Sequence, residues 1–515
     1  MTTGARYTVW IILLVGAVLI QFLLGLFVDR KIGQFVTGAA MTLVVSIIYG
    51  SILCKCKNCN LQGNDSDDLG DDGDGGRSAP YIHISDNIDD NVQESTSCVE
   101  TSDSISTRID TSTLSVVNDD ANEVIEVDSS PLQQLKKRLF YLDNLKIFLT
   151  FLVVSHHVTC AFGGCGPGGW ILIVGLFDNS FQHFAGYFAL LNQGYFMSLF
   201  FFISAYFVPS SYEKKGKKAF LYDKAKRYWL PAIFVTAIMA PLVILYGIWF
   251  VGGEPAYYPN AFHCWFLYWL LVLNLAYVHI RGTDECEEDS HEARQLPGPL
   301  KRLFVYGLGI CGFGMLLVQI MLQDGTFCTM PLAPGSLVND LLFFVAGTVA
   351  RKHGWLEKKL TEQIGMPPFL LRIIVILEAA LMCYFFSKGS EDNVYYIPAF
   401  LVAGVYCIDM SLVLLEFFQS YLDFQNRFTK YMSNAAYTVY IIHPVFVVGV
   451  TSIWIAYYES HGNVIEWTDL HSTTPIDGGG LTLMVGWIVS NVLSSVLVWP
   501  SASFLRKLPG LREIL

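Results

Sequence analysis

Tyr141-Leu-Asp143-Asn144-Leu-Lys146-Ile-Phe-Leu-Thr150-Phe-Leu-Val-Val-Ser-His156-His157 sets one lysine and two adjacent histidines in an apolar run, 145–162, long enough to cross a bilayer as a helix. Ionisable side chains are costly at membrane depth, so they point to function before packing. Lys146 and His157 stand eleven residues apart. At about 100° per residue that is three turns plus roughly 20°, which places both on one helical face about 16 Å apart. Thr150 shares the stripe, whereas His156 points about 100° away. If one histidine faces a polar cavity together with Lys146, it is His157. The alternative is that both histidines only satisfy backbone or neighbouring-helix groups.

The rest of the chain has the same character. Hydrophobic residues make up 53% of its 515 positions and charged residues 15%, against about 25% charged in soluble domains. Further apolar stretches fall near 7–28, 34–53, 185–208, 229–251, 262–280, 303–322, 335–350, 369–387, 397–418, 435–456 and 481–500. With 145–162 they make twelve. The predicted fold is an all-α polytopic membrane protein of about 12 transmembrane helices, which excludes a soluble enzyme and a nucleic-acid-binding domain. The span 335–350 is short and contains Asp340.

Charge divides the chain. Residues 60–130 hold 18 Asp and Glu against only Arg77 and Arg108, a net of −16 within a chain of net −12. This segment is rich in Asp, Ser, Thr, Asn and Gly and cannot bury enough apolar surface to offset its ordering entropy, so it reads as disordered. The expected organisation is a two-helix N-terminal membrane unit (1–59), an acidic cytosolic linker (60–137) and a ten-helix body (138–515). Alternate loops of the body carry 20 basic residues, seven of them within 214–227, whereas the opposite loops carry only Lys388. The positive-inside rule then places the basic loops, the linker and both termini in the cytosol, although Arg30 and Lys31 run against it. Cys54, Cys56 and Cys59 lack an obvious fourth zinc ligand, so no metal is expected there; juxtamembrane lipidation is the functional alternative to a reduced cluster. Cys165 and Cys328 both fall on the non-cytosolic side, where they could pair. Asn64-Asp65-Ser66 matches a glycosylation acceptor but falls on the cytosolic side.

The stretch from Tyr141 to Gly164 resembles the opening of the acyltransferase family 3 integral-membrane O-acyltransferases, whose pattern is an arginine, ten residues and a histidine. Lys146 takes the first place and His157 the second. The resemblance continues in order. Asn192-Gln-Gly-Tyr-Phe196 through Ser204-Ala205-Tyr206-Phe207 is similar to the family's second helix. Phe220-Leu-Tyr-Asp-Lys224-Ala-Lys-Arg227-Tyr-Trp-Leu-Pro231 resembles its basic entry to the third. His263-Cys-Trp265-Phe-Leu267 and Tyr437-Thr-Val-Tyr440-Ile-Ile-His443-Pro444 match two later elements, and Phe504–Leu515 is similar to one branch of the family. Lys146 in place of arginine gives up bidentate geometry, and Ala205 replaces the usual glycine. Residues 1–137 lie outside the resemblance.

The resemblance implies transfer of an acyl group from cytosolic acyl-CoA, a co-substrate rather than a bound cofactor, to a hydroxyl of a carbohydrate or of a glycosylated or lipid acceptor. A hydroxyl attacking a thioester needs a general base, and imidazole suits neutral pH. His157 is the expected base, with Lys146 and His156 as further catalytic candidates. Lys146 would hold donor phosphate or polarise the thioester carbonyl. Lys224 and Arg227 are the expected donor-phosphate ligands, against the alternative of topology signals that contact anionic lipid. His263 and Trp265 are expected to line the acceptor site or transfer channel. His443, next to Pro444, reads as satisfying carbonyls that the proline frees. Ser204 has no adjacent base in the sequence, which favours packing over nucleophilic attack. The rival class is an ion-coupled transporter or carrier using intramembrane His, Asp and Glu, with a catalytically silent receptor as a third reading.

Overall fold

The computed structural model describes residues 115–117, 124–126, 138–166, 169–281, 306–307, 309, 334–389, 392–512 and 514–515. Among them the long helices are, in chain order, α1 Phe140–Ala161, α2 Asn179–Tyr206, α3 Val208–Phe250, α4 Phe262–Arg281, α5 Pro334–Lys352, α6 Pro368–Gly389, α7 Tyr396–Tyr421, α8 Arg427–Ser460 and α9 Gly479–Leu505. All except α5 are long and apolar enough to cross a membrane. Asn339 and Asp340 lower the hydropathy of α5, which covers the expected span 335–350. The expected spans 7–28, 34–53 and 303–322 lie outside the described residues, as do Cys54, Cys56, Cys59 and Asn64. Within the unit Gln62–Arg138 the described elements are the two strands of one antiparallel hairpin, β1 Ser115–Val117 with β2 Val124–Glu126.

The basic segment 214–227, expected as a loop, is helical on both sides of a kink at Gly216 and from there continues into the membrane span as α3. Lysine, alanine and glutamate are good helix formers, and the φ of 69° at the kink suits glycine. Two π turns, Ala225–Trp229 and Val235–Met239, bracket the Pro231 turn. The apolar outer faces of α6 and α9, with Ile376 66% and Leu481 77% exposed, suit lipid and would be untenable in water.

Unlike those helices, α1 is enclosed, packing against α2, α7, α8 and α9. Its first turn is tied to the turn between α7 and α8: Asn144 Nδ2 donates to the carbonyls of Leu422 and Phe424 at 2.7 and 2.8 Å. The Tyr141 hydroxyl adds a bond to the Leu356 carbonyl at 2.9 Å. At the other end, Gly163 with φ of 88° closes the helix, and the Gly164 N–H reaches back to the Thr159 carbonyl at 2.9 Å. Trp487 of α9 donates to Thr159 Oγ1 at 2.8 Å. The chain reversal at Gly163 brings Cys165 to Cys160, with Cα atoms 4.7 Å apart, and the two form a disulfide. Cys165 thus does not pair with Cys328, the partner the sequence allowed, which lies outside the described residues: the helix-terminal turn supplies one five residues away.

Beyond the disulfide, the segment after α1 packs on the loop between α8 and α9. Ile173 N–H donates to the Leu470 carbonyl and Ser472 N–H to the Ile173 carbonyl, each at 2.8 Å, beside the short hairpin β3 Trp467–Thr468 and β4 His471–Ser472. Both loops thus lie at the end of the bundle opposite the basic segment.

Candidate active site

Three helices deliver three histidines to one place. His157 comes from α1, His443 from α8 and His263 from the first turn of α4. His157 Nδ1 lies 2.8 Å from His443 Nε2, and the His443 ring centroid is 4.8 Å from those of both His157 and His263.

The proline explains the arrangement. Pro444 has no N–H, so the Tyr440 carbonyl four residues earlier loses its helical donor. His443 Nδ1 lies 2.8 Å from that carbonyl and fills the gap. A carbonyl only accepts, so His443 Nδ1 carries the proton and its Nε2 offers a lone pair. His157 Nδ1–H must then donate to it, which leaves the lone pair of His157 on Nε2. His157 is also the only half-buried ring of the group; His156, His263 and His443 are buried. A backbone carbonyl and a second imidazole therefore fix the tautomer in which His157 can take a proton.

His263 is held in a similar way. Its Nε2 donates to the Ile441 carbonyl at 3.0 Å, and its own carbonyl accepts the Tyr440 hydroxyl at 2.5 Å. Its Nδ1 is buried and unpartnered. Trp265 lies outside the cluster, with its ring 6.4 Å from Phe201. His156 sits on another flank of α1, 5.3 Å from the Phe196 ring and 3.9 Å from Cys165 Sγ. Donor atoms of His156, Cys160 and Cys165 converge within 4.8 Å, but the two sulfurs are bonded to each other, so this set does not offer a metal three ligands.

Lys146 is not brought to the histidines. Its Nζ lies 3.2 Å from Asp143 and 4.6 Å over the Phe207 ring, near the start of α1. Lys224 is buried, with Nζ 5.1 and 5.0 Å from the Phe220 and Tyr228 rings, and among the described residues no carboxylate pairs with it. Arg227 is 62% exposed and pairs with Asp223 at 3.5 Å, while Lys215 pairs with the same carboxylate at 3.3 Å. The Arg227 carbonyl accepts the Tyr437 hydroxyl. Tyr437, Tyr440 and His443 thus form a spine on α8 that rises about 9 Å from the level of Arg227 to the histidines.

The intramembrane acids without an expected role are each engaged. Ser198 donates to Asp340 at 3.2 Å, Tyr306 to Asp409 at 2.5 Å, and Arg372 pairs with Glu416 at 2.8 Å. Sequence reading gave His443 only a structural part and did not single out Trp170, which stacks on His157 with centroids 4.3 Å apart. The signal for His443 was the proline beside it; Trp170 carried none.

No curated protein and no solved structure matches the chain. The family model described as an acyltransferase domain matches residues 139–499, a stretch that holds all three clustered histidines and both basic positions, Lys224 and Arg227. The chain therefore belongs to the acyltransferase 3 family and is a multi-pass membrane acyltransferase.

Proposed function

We propose that the protein is an O-acyltransferase that moves an acyl group from cytosolic acyl-CoA to a hydroxyl of a carbohydrate or of a glycosylated or lipid acceptor, with His157 as general base. The observation that carries this reading is the chain from the Tyr440 carbonyl through His443 to His157, which leaves a lone pair on Nε2 of the half-buried ring. The acceptor hydroxyl attacks the thioester carbon and gives its proton to His157 Nε2. The C–S bond then breaks, and the proton passes to the departing CoA sulfur. His157 thus acts first as general base and then as general acid.

In this reading the body has ten helices, two more precede it, and the basic end faces the cytosol. Impermeant thiol labelling of introduced cysteines should place 60–130 and 210–227 on one side and 165–180 on the other. Opposite placement of the first two would overturn the topology. For the activity itself, membranes holding the protein should convert labelled acyl-CoA to an alkali-labile ester only when an acceptor extract is present. Label that crosses the membrane without forming an ester would favour a carrier.

Donor phosphate is assigned to Lys224 and Arg227, with Lys146 near the same end of the bundle and His263 and Trp265 towards the acceptor or the transfer channel. Lys224 is a buried cation that, among the described residues, meets aromatic faces and no carboxylate, so an anion there would gain a charge-assisted contact without breaking an ion pair. Lys224→Met should raise the donor KM about tenfold and leave the acceptor KM unchanged. Asp223→Asn releases Lys215 and Arg227 and should lower the donor KM a few-fold. An unchanged donor KM in both variants would remove the phosphate site from this helix.

A further inference from the structure

Three rings stand in one stack that ends on the base. Phe262 lies on Trp170 with centroids 4.7 Å apart and planes 26° apart, and Trp170 on His157 at 4.3 Å and 22°. His443 meets the edge of His157, nearly coplanar with it at 19° and joined to it by the 2.8 Å hydrogen bond. Trp170 is 6% exposed, and both its faces are covered, so it offers no platform on which a sugar could stack.

The segment that carries Trp170 is fastened on both sides. The Cys160–Cys165 disulfide holds it to α1, Val174 N–H donates to the Ala161 carbonyl at 2.9 Å, and Ile173 is bonded to the loop between α8 and α9. Two non-glycine residues at the stack take left-handed backbone, Leu172 with φ of 57° and Phe262 with φ of 49°. Such conformations persist only where the surroundings over-determine them, and here both serve to deliver rings to one column.

We propose that Trp170 is a positioning residue of the transfer step: its indole face keeps the His157 ring in register with His443 and stabilises the positive charge that ring carries between proton uptake and proton release. This rests on His157 being the base. Among the described residues no carboxylate is hydrogen-bonded to the His157–His443 pair, so beside the neutral His443 Nε2 that accepts its N–H, an imidazolium at 157 is met by the π face 4.3 Å away. Indole is the strongest of the aromatic faces for a cation within about 6 Å. The charge exists only after the acceptor O–H proton reaches His157 Nε2 and until it passes to the CoA sulfur. Trp170 therefore acts on kcat and little on donor binding.

The test uses the full chain purified in nanodiscs, with kcat, donor KM and thermal unfolding measured for Trp170→Phe and Trp170→Leu. Trp170→Leu should lower kcat about tenfold with donor KM within about twofold, and Trp170→Phe, which keeps a flat face and loses the indole N–H, should recover most of that loss. Should the leucine variant unfold, Trp170→Met, a more adaptable filler, replaces it. Trp170→Leu placed in a His157→Ala background should produce no further loss of the residual rate, whereas a merely structural role would lower both backgrounds alike. A phenylalanine variant no better than the leucine one, or full kcat without an aromatic ring, would overturn the proposal. Full transfer by His157→Ala alone would instead overturn the assignment of the base, so the two failures read differently.

Discussion

His157→Ala is expected to lower acyl transfer by about 10²–10⁴-fold, the usual worth of a general base. The loss should fall on kcat, because the ring's hydrogen bond is made to His443 and not to a group that would hold the donor. Alanine also strands the buried Nε2 of His443, and an unsatisfied buried acceptor costs about 1–3 kcal/mol, so the variant should unfold at a lower temperature. His157→Gln separates the two effects. Its amide can donate to His443 and restore stability, yet it has no basic lone pair, so activity should stay low. His156→Ala should cost far less, since that ring packs against Phe196 and Cys165 and takes no part in the His157–His443 bond. Equal losses in the two alanine variants, or normal turnover in His157→Gln, would remove His157 from the role of base.

The parts of this site that could be read from sequence are those set by local periodicity. Hydropathy placed the spans 145–162 and 435–456 on α1 and α8, because a helix in lipid must be apolar along most of its length, but it missed the first eight residues of α8, which begins at Arg427. Helical geometry put His156 and His157 on different flanks, because successive residues turn by about 100°. The pairing of His157 with His443 joins positions 286 residues apart, and no pattern in either segment encodes it. Pro444 did announce a carbonyl without a donor at Tyr440, but not that the histidine filling it would also turn its other nitrogen to α1. Trp170 was less legible still. It sits in a glycine-rich turn whose course depends on the Cys160–Cys165 bond and on the loop between α8 and α9, neither of which follows from the residues around it. The stretch 214–227 misled in the opposite direction, since dense positive charge suggests a loop whereas its residues individually favour helix.

The proline that made His443 legible also supplies a sharp test of the relay. His443→Ala should lower kcat by about 10²-fold, because His157 loses the acceptor that fixes its Nδ1 proton and Nε2 is no longer held as the base. Pro444→Ala reaches the same bond from the backbone. It returns an N–H to position 444, which restores the helical hydrogen bond to the Tyr440 carbonyl and removes a helix-interior proline, a change worth up to about 3 kcal/mol. His443 Nδ1–H must then share or give up its acceptor, and the order of the proton chain weakens. The expected variant is therefore more thermostable and several-fold slower, an outcome that a purely structural histidine and proline would not produce. Both substitutions act through one bond, so their effects on kcat should not add: the double variant should be no slower than His443→Ala alone. A Pro444→Ala protein that gains stability and keeps full activity would show that the Tyr440 carbonyl does not set the tautomer, and the order of donors along the chain would have to be reversed.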